Sequence, residues 1–164
     1  GRYIAMRFLV KPMDFPNAFM YGAGHGGVEA MLLCGVASIS NIASAVMINS
    51  GTMSAQLATL DAEKAADTAA ALSALWTTPS LTFFAGGVER IIAVVLHLSL
   101  SILVFQSIRK KSQKDLLNAY LFHFVIDSLS VLLSAVASVW VVELVTALLT
   151  GGAVLMARYA CMEE

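Results

Sequence analysis

Apolar residues run through this chain in blocks far longer than the buried face of a soluble helix needs. The blocks cover residues 18–48, 80–108 and 116–157, with short polar stretches between them. In the first, residues 30–48 are 19 residues without a charge, enough to span a bilayer. The second has 29 residues, interrupted only by Glu89, Arg90 and His97. The third has 42 residues, about 63 Å as one helix and twice the hydrocarbon thickness. It therefore predicts two helices, turning near residues 137–140. Ahead of these four spans, residues 1–11 carry Arg2, Arg7 and Lys11 among apolar residues. They read as the cytoplasmic end of a helix that begins upstream. Asp14-Phe15-Pro16 reads as a turn. Residues 50–79, Ala-rich with Asp61, Glu63, Lys64 and Asp67, predict an extracytoplasmic loop with a short surface helix.

Composition agrees with this pattern. The chain is 59% hydrophobic and 13% charged, where a soluble domain carries roughly 25% charged residues. Mean hydropathy is +0.80. Too few polar side chains remain to cover a water-exposed surface, which excludes a soluble enzyme and a disordered tail. A net charge of −1 offers no excess of positive charge for phosphates, so no nucleic-acid partner is expected. The expected fold is all-α, a polytopic transmembrane helix bundle forming a single domain over residues 1–164. Its lipid partner is the bilayer itself. Cys34 and Cys161 form neither a disulfide framework nor a C-x-x-C pair. The final Cys161-Met162-Glu163-Glu164 lacks the aliphatic pattern of a prenylation box. The chain opens on Gly1 without a signal-peptide pattern and reads as an N-terminally truncated fragment.

Loop charges set the expected topology. Arg2, Arg7, Lys11, Arg109, Lys110, Lys111, Lys114 and Arg158 fall on one side, and only Lys64 on the other. The positive-inside rule makes the first side cytoplasmic, in a cell membrane.

Against that background the ionisable residues inside the spans are informative, because each costs about 2.5–3.5 kcal/mol to place there. The first span carries His25 and Glu29, the second Glu89, Arg90 and His97, the third His123 and Asp127. His25/Glu29 and His123/Asp127 are i,i+4 pairs, and Arg90/His97 are seven apart, so each pair shares a helix face. Counting rise from the cytoplasmic ends, His25 and His123 lie roughly 10 Å deep; Glu29, His97 and Asp127 lie roughly 16 Å deep. Glu89 and Arg90 lie nearer the other side and also suit a structural ion pair. Glu143, near the start of the fourth span, is placed to snorkel outward. Gly22/Gly26 and Ala23/Gly27 have the spacing of close helix packing. Three histidines and two acids at one depth mark a site, either for catalysis or for proton or ion transport.

The segment from Tyr21 to Ala30, with His25 and Glu29, resembles the signature of the YhfC family of bacterial intramembrane metalloproteases. So do Glu89-Arg90 through His97-Leu98-Ser99, and His123-Phe-Val-Ile-Asp127, in the family's order. That family is related to the CAAX-protease and bacteriocin-processing group, whose motifs include a Glu-Glu followed by an Arg, a Phe-x-x-x-His and a His-x-x-x-Asn/Asp. Tyr21-x-x-x-His25 is similar to the second, and His123-x-x-x-Asp127 to the third. Gly1-Arg2-Tyr3 looks like the residues that follow the Glu-Glu. The resemblance implies an upstream carboxylate pair, without which this stretch alone is inactive if that pair activates water.

What the resemblance implies is peptide-bond hydrolysis near the cytoplasmic side, on a peptide or membrane-protein substrate. The catalytic candidates are His25, Glu29, Glu89, Arg90, His97, His123 and Asp127. A carboxylate can take a proton from water and histidines can hold an oxyanion. Alternatively His25, His97 and His123, with Glu29 or Asp127, hold Zn²⁺. The residue types suit both schemes, with a metal or with none. A proton- or metal-coupled transporter and a non-catalytic scaffold are the competing readings.

Overall fold

The computed structural model describes residues 1–162. Glu163 and Glu164, and with them the end of the C-terminal Cys-Met-Glu-Glu, lie outside the described residues. Every regular element among the described residues is helical. The helices are α1 (Arg2–Phe8), α2 (Phe15–Ala30), α3 (Val36–Asn49), α4 (Thr52–Leu57), α5 (Ala62–Thr77), α6 (Ser80–Lys110), α7 (Gln113–Ser134) and α8 (Val139–Met162), with a π-helical turn at Met31–Gly35. Four stretches are long and apolar enough to cross a membrane: Phe15–Asn49, Ser80–Lys110, Gln113–Ser134 and Val139–Met162. The chain is an all-α polytopic protein, as the hydrophobic blocks predict.

Two compact units divide it, Gly1–Ala30 with Ala85–Glu164, and Met31–Phe84. The first is built around α6. From Leu96 to Ser107 nearly every α6 residue is buried, so neighbours cover this helix on all sides. Leu100, Leu103 and Phe105 form its apolar core with Met6 of α1, Ala18 of α2, Ile126 of α7 and Ala153 of α8. Phe15 meets Phe105 edge-on at 6.4 Å. Close approach of α2 to α6 requires glycine at two positions. A Cβ on Gly22 would lie 2.9 Å from the Leu98 Cα, and one on Gly26 would lie 3.1 Å from the Val94 Cα. The second expected row, Ala23/Gly27, does not pack this way, since a Cβ on Gly27 meets nothing within 4 Å. The α6–α7 connection is short: Ser112 caps α7 by accepting the Asp115 N–H. The α7–α8 connection, residues 135–138, keeps those helices antiparallel neighbours.

The second unit holds the π-helical turn, α3, α4, α5 and the first residues of α6. Leu32, Leu33, Val36, Ile39, Ile42 and Val46 are exposed. In water this would be costly, but against hydrocarbon it is the normal outer face of a spanning helix. Gly51, at φ +76°, ends α3 in the left-handed region where a side chain is strained. The predicted loop of residues 50–79 contains two helices rather than one short one. The longer, α5, starts at Asp61, whose side chain accepts the Lys64 N–H at 2.9 Å.

Candidate functional site

Three helices of the first unit bring the intraspan histidines together. The His25 ring of α2 lies 5.0 Å from the His97 ring of α6, and His97 lies 5.5 Å from the His123 ring of α7. The three histidines, expected within one slab of the bilayer, are in ring contact. The Gly22/Gly26 face makes this possible: by letting α2 press against α6, it sets His25 and Glu29 beside His97.

His97 is the centre. It is almost fully buried and makes two polar contacts, one from each ring nitrogen. Nε2 lies 2.9 Å from Glu29 Oε2, and Nδ1 lies 2.6 Å from Arg2 Nη2. A guanidinium only donates hydrogen bonds, so Nδ1 accepts. The ring is then neutral, with its proton on Nε2, donating to Glu29. Arg2 thus fixes the tautomer of His97. Loop-charge counting assigned Arg2 to the cytoplasmic surface and missed this role. The detectable signal lay in the opening Gly1-Arg2-Tyr3, which resembles the residues after the family's Glu-Glu.

His123 is arranged the other way round. Its Nδ1 lies 2.7 Å from Asp127 Oδ2 one turn later. Donation from Nδ1 to the carboxylate leaves Nε2 with a lone pair, the orientation of a general base or a metal ligand. Tyr21 stacks on His25 at 5.9 Å. A cavity of about 270 Å³ is lined by Arg2, Tyr3, His25, Tyr120 and His123, and a second of about 240 Å³ by Glu29, Arg90, His97, Asp127 and Thr150 among others.

Of the predicted site residues, Glu89 and Arg90 pair with each other and lie on the wall of the second cavity rather than in the histidine cluster. Glu143 is buried against protein rather than extended outward. It is only 7% exposed, and its Oε2 has no hydrogen-bond partner. It lies in the second turn of α8.

His25, Glu29 and His97 present ligand atoms all within 4.8 Å of one another. Two imidazoles and a carboxylate are the donor set of a catalytic zinc site. Two of the three predicted histidine ligands, His25 and His97, group with Glu29, while His123 lies outside that group and engages Asp127. The fit to an ion has one condition. A ligating histidine gives its other N–H to an acceptor, and the atom beside His97 Nδ1 belongs to Arg2, which cannot accept.

Comparison with known proteins follows the same residues. The profile of the family described as YhfC intramembrane metalloprotease matches residues 1–146. An uncharacterized membrane protein YhfC of Bacillus subtilis (strain 168) is 39% identical over 124 residues, 75% of this chain and 47% of that protein. The chain therefore spans about half the length of the curated relative it matches. No solved structure matches.

Proposed function

This chain belongs to the YhfC intramembrane metalloprotease family, and on that premise we propose that it carries the histidine–carboxylate centre of an intramembrane peptidase. The substrate is a peptide or membrane-protein segment cleaved near the cytoplasmic side of a bacterial plasma membrane. The basic loops, Arg109 to Lys111 among them, face the cytoplasm on this reading. The observation that carries it is the convergence of His25, Glu29 and His97 from two helices, with ligand atoms within 4.8 Å. A carboxylate held by a buried histidine, inside an otherwise apolar bundle, is a costly arrangement that marks a site.

The chain's own residues suggest the steps. Glu29, oriented by the His97 N–H, takes a proton from water as its oxygen bonds to the scissile carbonyl carbon. His25 and the Arg2 guanidinium line the 270 Å³ cavity and offer N–H donors to the oxyanion. As the C–N bond breaks, Glu29 returns its proton to the leaving amine. His123, set by Asp127, is a second base within ring contact of His97. If an ion is bound, His25, Glu29 and His97 would hold it, and it would act as a Lewis acid that lowers the pKa of water to about 7.

The test is cleavage by the complete protein in proteoliposomes, followed by mass spectrometry of membrane-protein fragments. We expect Glu29→Gln and His25→Ala each to lower the rate at least a hundredfold at unchanged melting temperature. Normal cleavage by both variants would refute the reading. Residue-dependent uptake of protons or metal ions without any cleavage would establish the transporter instead.

A further inference from the structure

The hydrolytic reading requires water at Glu29, within a bilayer that supplies none. The 270 Å³ cavity lies on the Arg2 and Tyr120 side of the histidines and is the place for the peptide. On the other side the 240 Å³ cavity touches Glu29, His97 and Asp127. Further along the bundle a third cavity, about 360 Å³, lies at the α7–α8 turn, lined by Ser134, Ala137, Val139 and Glu143. These last two cavities share Glu89, Ser130 and Val131 as common wall.

Three buried polar atoms on these walls have no protein partner: Arg90 Nε, Thr150 Oγ1 and Glu143 Oε2. Thr150 is 4% exposed and Glu143 7%. Leaving such atoms dry costs about 1–3 kcal/mol each, and folded proteins meet them with bound water. Both cavities far exceed the ~15 Å³ that one water requires. The wall hydroxyls can also accept from water, because Ser130 and Ser134 already spend their protons on the Ile126 and Val131 carbonyls, each at 2.8 Å.

We propose that these two cavities form one water route that enters at the α7–α8 turn, passes Glu143 and the Glu89–Arg90 pair, and ends at Glu29 and His97. Water and peptide then reach the centre from opposite ends of the bundle. This assigns Glu89, Arg90 and Glu143 to hydration of the route rather than to contact with the peptide. It rests on the peptidase reading only for its purpose; the route itself is a property of the bundle.

Accessibility tests it directly. In the complete protein bearing Cys34→Ser and Cys161→Ser, Ser134→Cys marks the entrance and Ser130→Cys the shared wall. A membrane-impermeant methanethiosulfonate, added to the face opposite the Arg109–Lys111 loop, is expected to label both. Added to the loop face, it should label neither. Glu143→Leu should slow labelling of Ser130→Cys at least tenfold and leave Ser134→Cys unchanged. Ser130→Cys that stays unlabelled, or labels only from the loop face, in a protein with the parent's melting temperature would overturn the route. So would failure of Ser134→Cys to label. Labelling without any cleavage by the parent would keep the route and remove the peptidase reading; cleavage without labelling would do the reverse.

Discussion

Arg2 decides what His97 is able to do. Its guanidinium on Nδ1 makes the buried imidazole a donor toward Glu29, which favours a carboxylate acting as base. The same contact opposes ligation of an ion by His97, since the ring cannot then give a proton to a neighbouring acceptor. Arg2→Gln replaces a pure donor by an amide that can accept. Zinc affinity, read by competition with a chromophoric chelator, should rise about 10- to 100-fold in Arg2→Gln. An unchanged or weaker affinity would mean that the Arg2 contact does not restrain the metal. Sequence reading found His25, Glu29, His97, His123 and Asp127, because a charge or imidazole inside an apolar block is conspicuous. It did not foresee the contact of Arg2 with His97 or the burial of Glu143, for the converse reason. Each lies near the end of a block, where snorkelling and burial leave the same trace in the sequence, and only the packed neighbours distinguish them.

Helix α2 carries two rows of small residues, Gly22/Gly26 and Ala23/Gly27, that look alike in the sequence, and the packed structure separates them. Gly22 and Gly26 face the α6 backbone, whereas Gly24 and Gly27 face open space. Gly22→Ala should therefore cost about 1–3 kcal/mol of stability by overpacking. Gly24→Ala should be neutral or slightly stabilising, as expected where alanine replaces glycine in a helix with room for the methyl. Thermal unfolding in detergent compares the two, and equal effects would contradict the packing. Helix α5 gives a pH-dependent case. The Lys64 ammonium, 2.8 Å from Asp61, and the Lys64 backbone N–H hold the Asp61 carboxyl below the usual carboxylate range. A carboxylate lowered on folding stabilises at neutral pH, and that contribution fades as pH falls below about 4 through the folded value. The protection factors of the first turn of α5, which remove the intrinsic pH dependence of amide exchange, should fall on acidification through that window, and Asp61→Ala should abolish that fall. Protection factors in the parent that do not change with pH would refute the cap. The two-helix content of residues 50–79 was harder to read than the spans. An alanine-rich stretch has helix propensity throughout, and its boundaries depend on local caps such as Asp61 and turns such as the one at Gly51.

At the scale of the molecule, block length alone gives the four spans, because the thickness of hydrocarbon leaves few alternatives. The 42-residue block had to fold back, and it does so at residues 135–138, two residues before the expected turn. Which span is central was not readable. A helix surrounded by protein and one surrounded by lipid are both apolar on all sides. Here α6 contains the most apolar 18-residue stretch of the four and is also the most buried span, although the helix as a whole carries Glu89, Arg90 and His97. That coincidence bears on biogenesis. A segment destined for the centre enters the membrane before α7 and α8 exist, and during that interval lipid covers the faces they later take. The leucine, isoleucine and valine that follow Arg90 offset part of the cost of the ionisable groups of α6 through this interval. His97 thus enters the bilayer within a strongly apolar stretch, and α7 and α8, made after it, pack beside it as one hairpin.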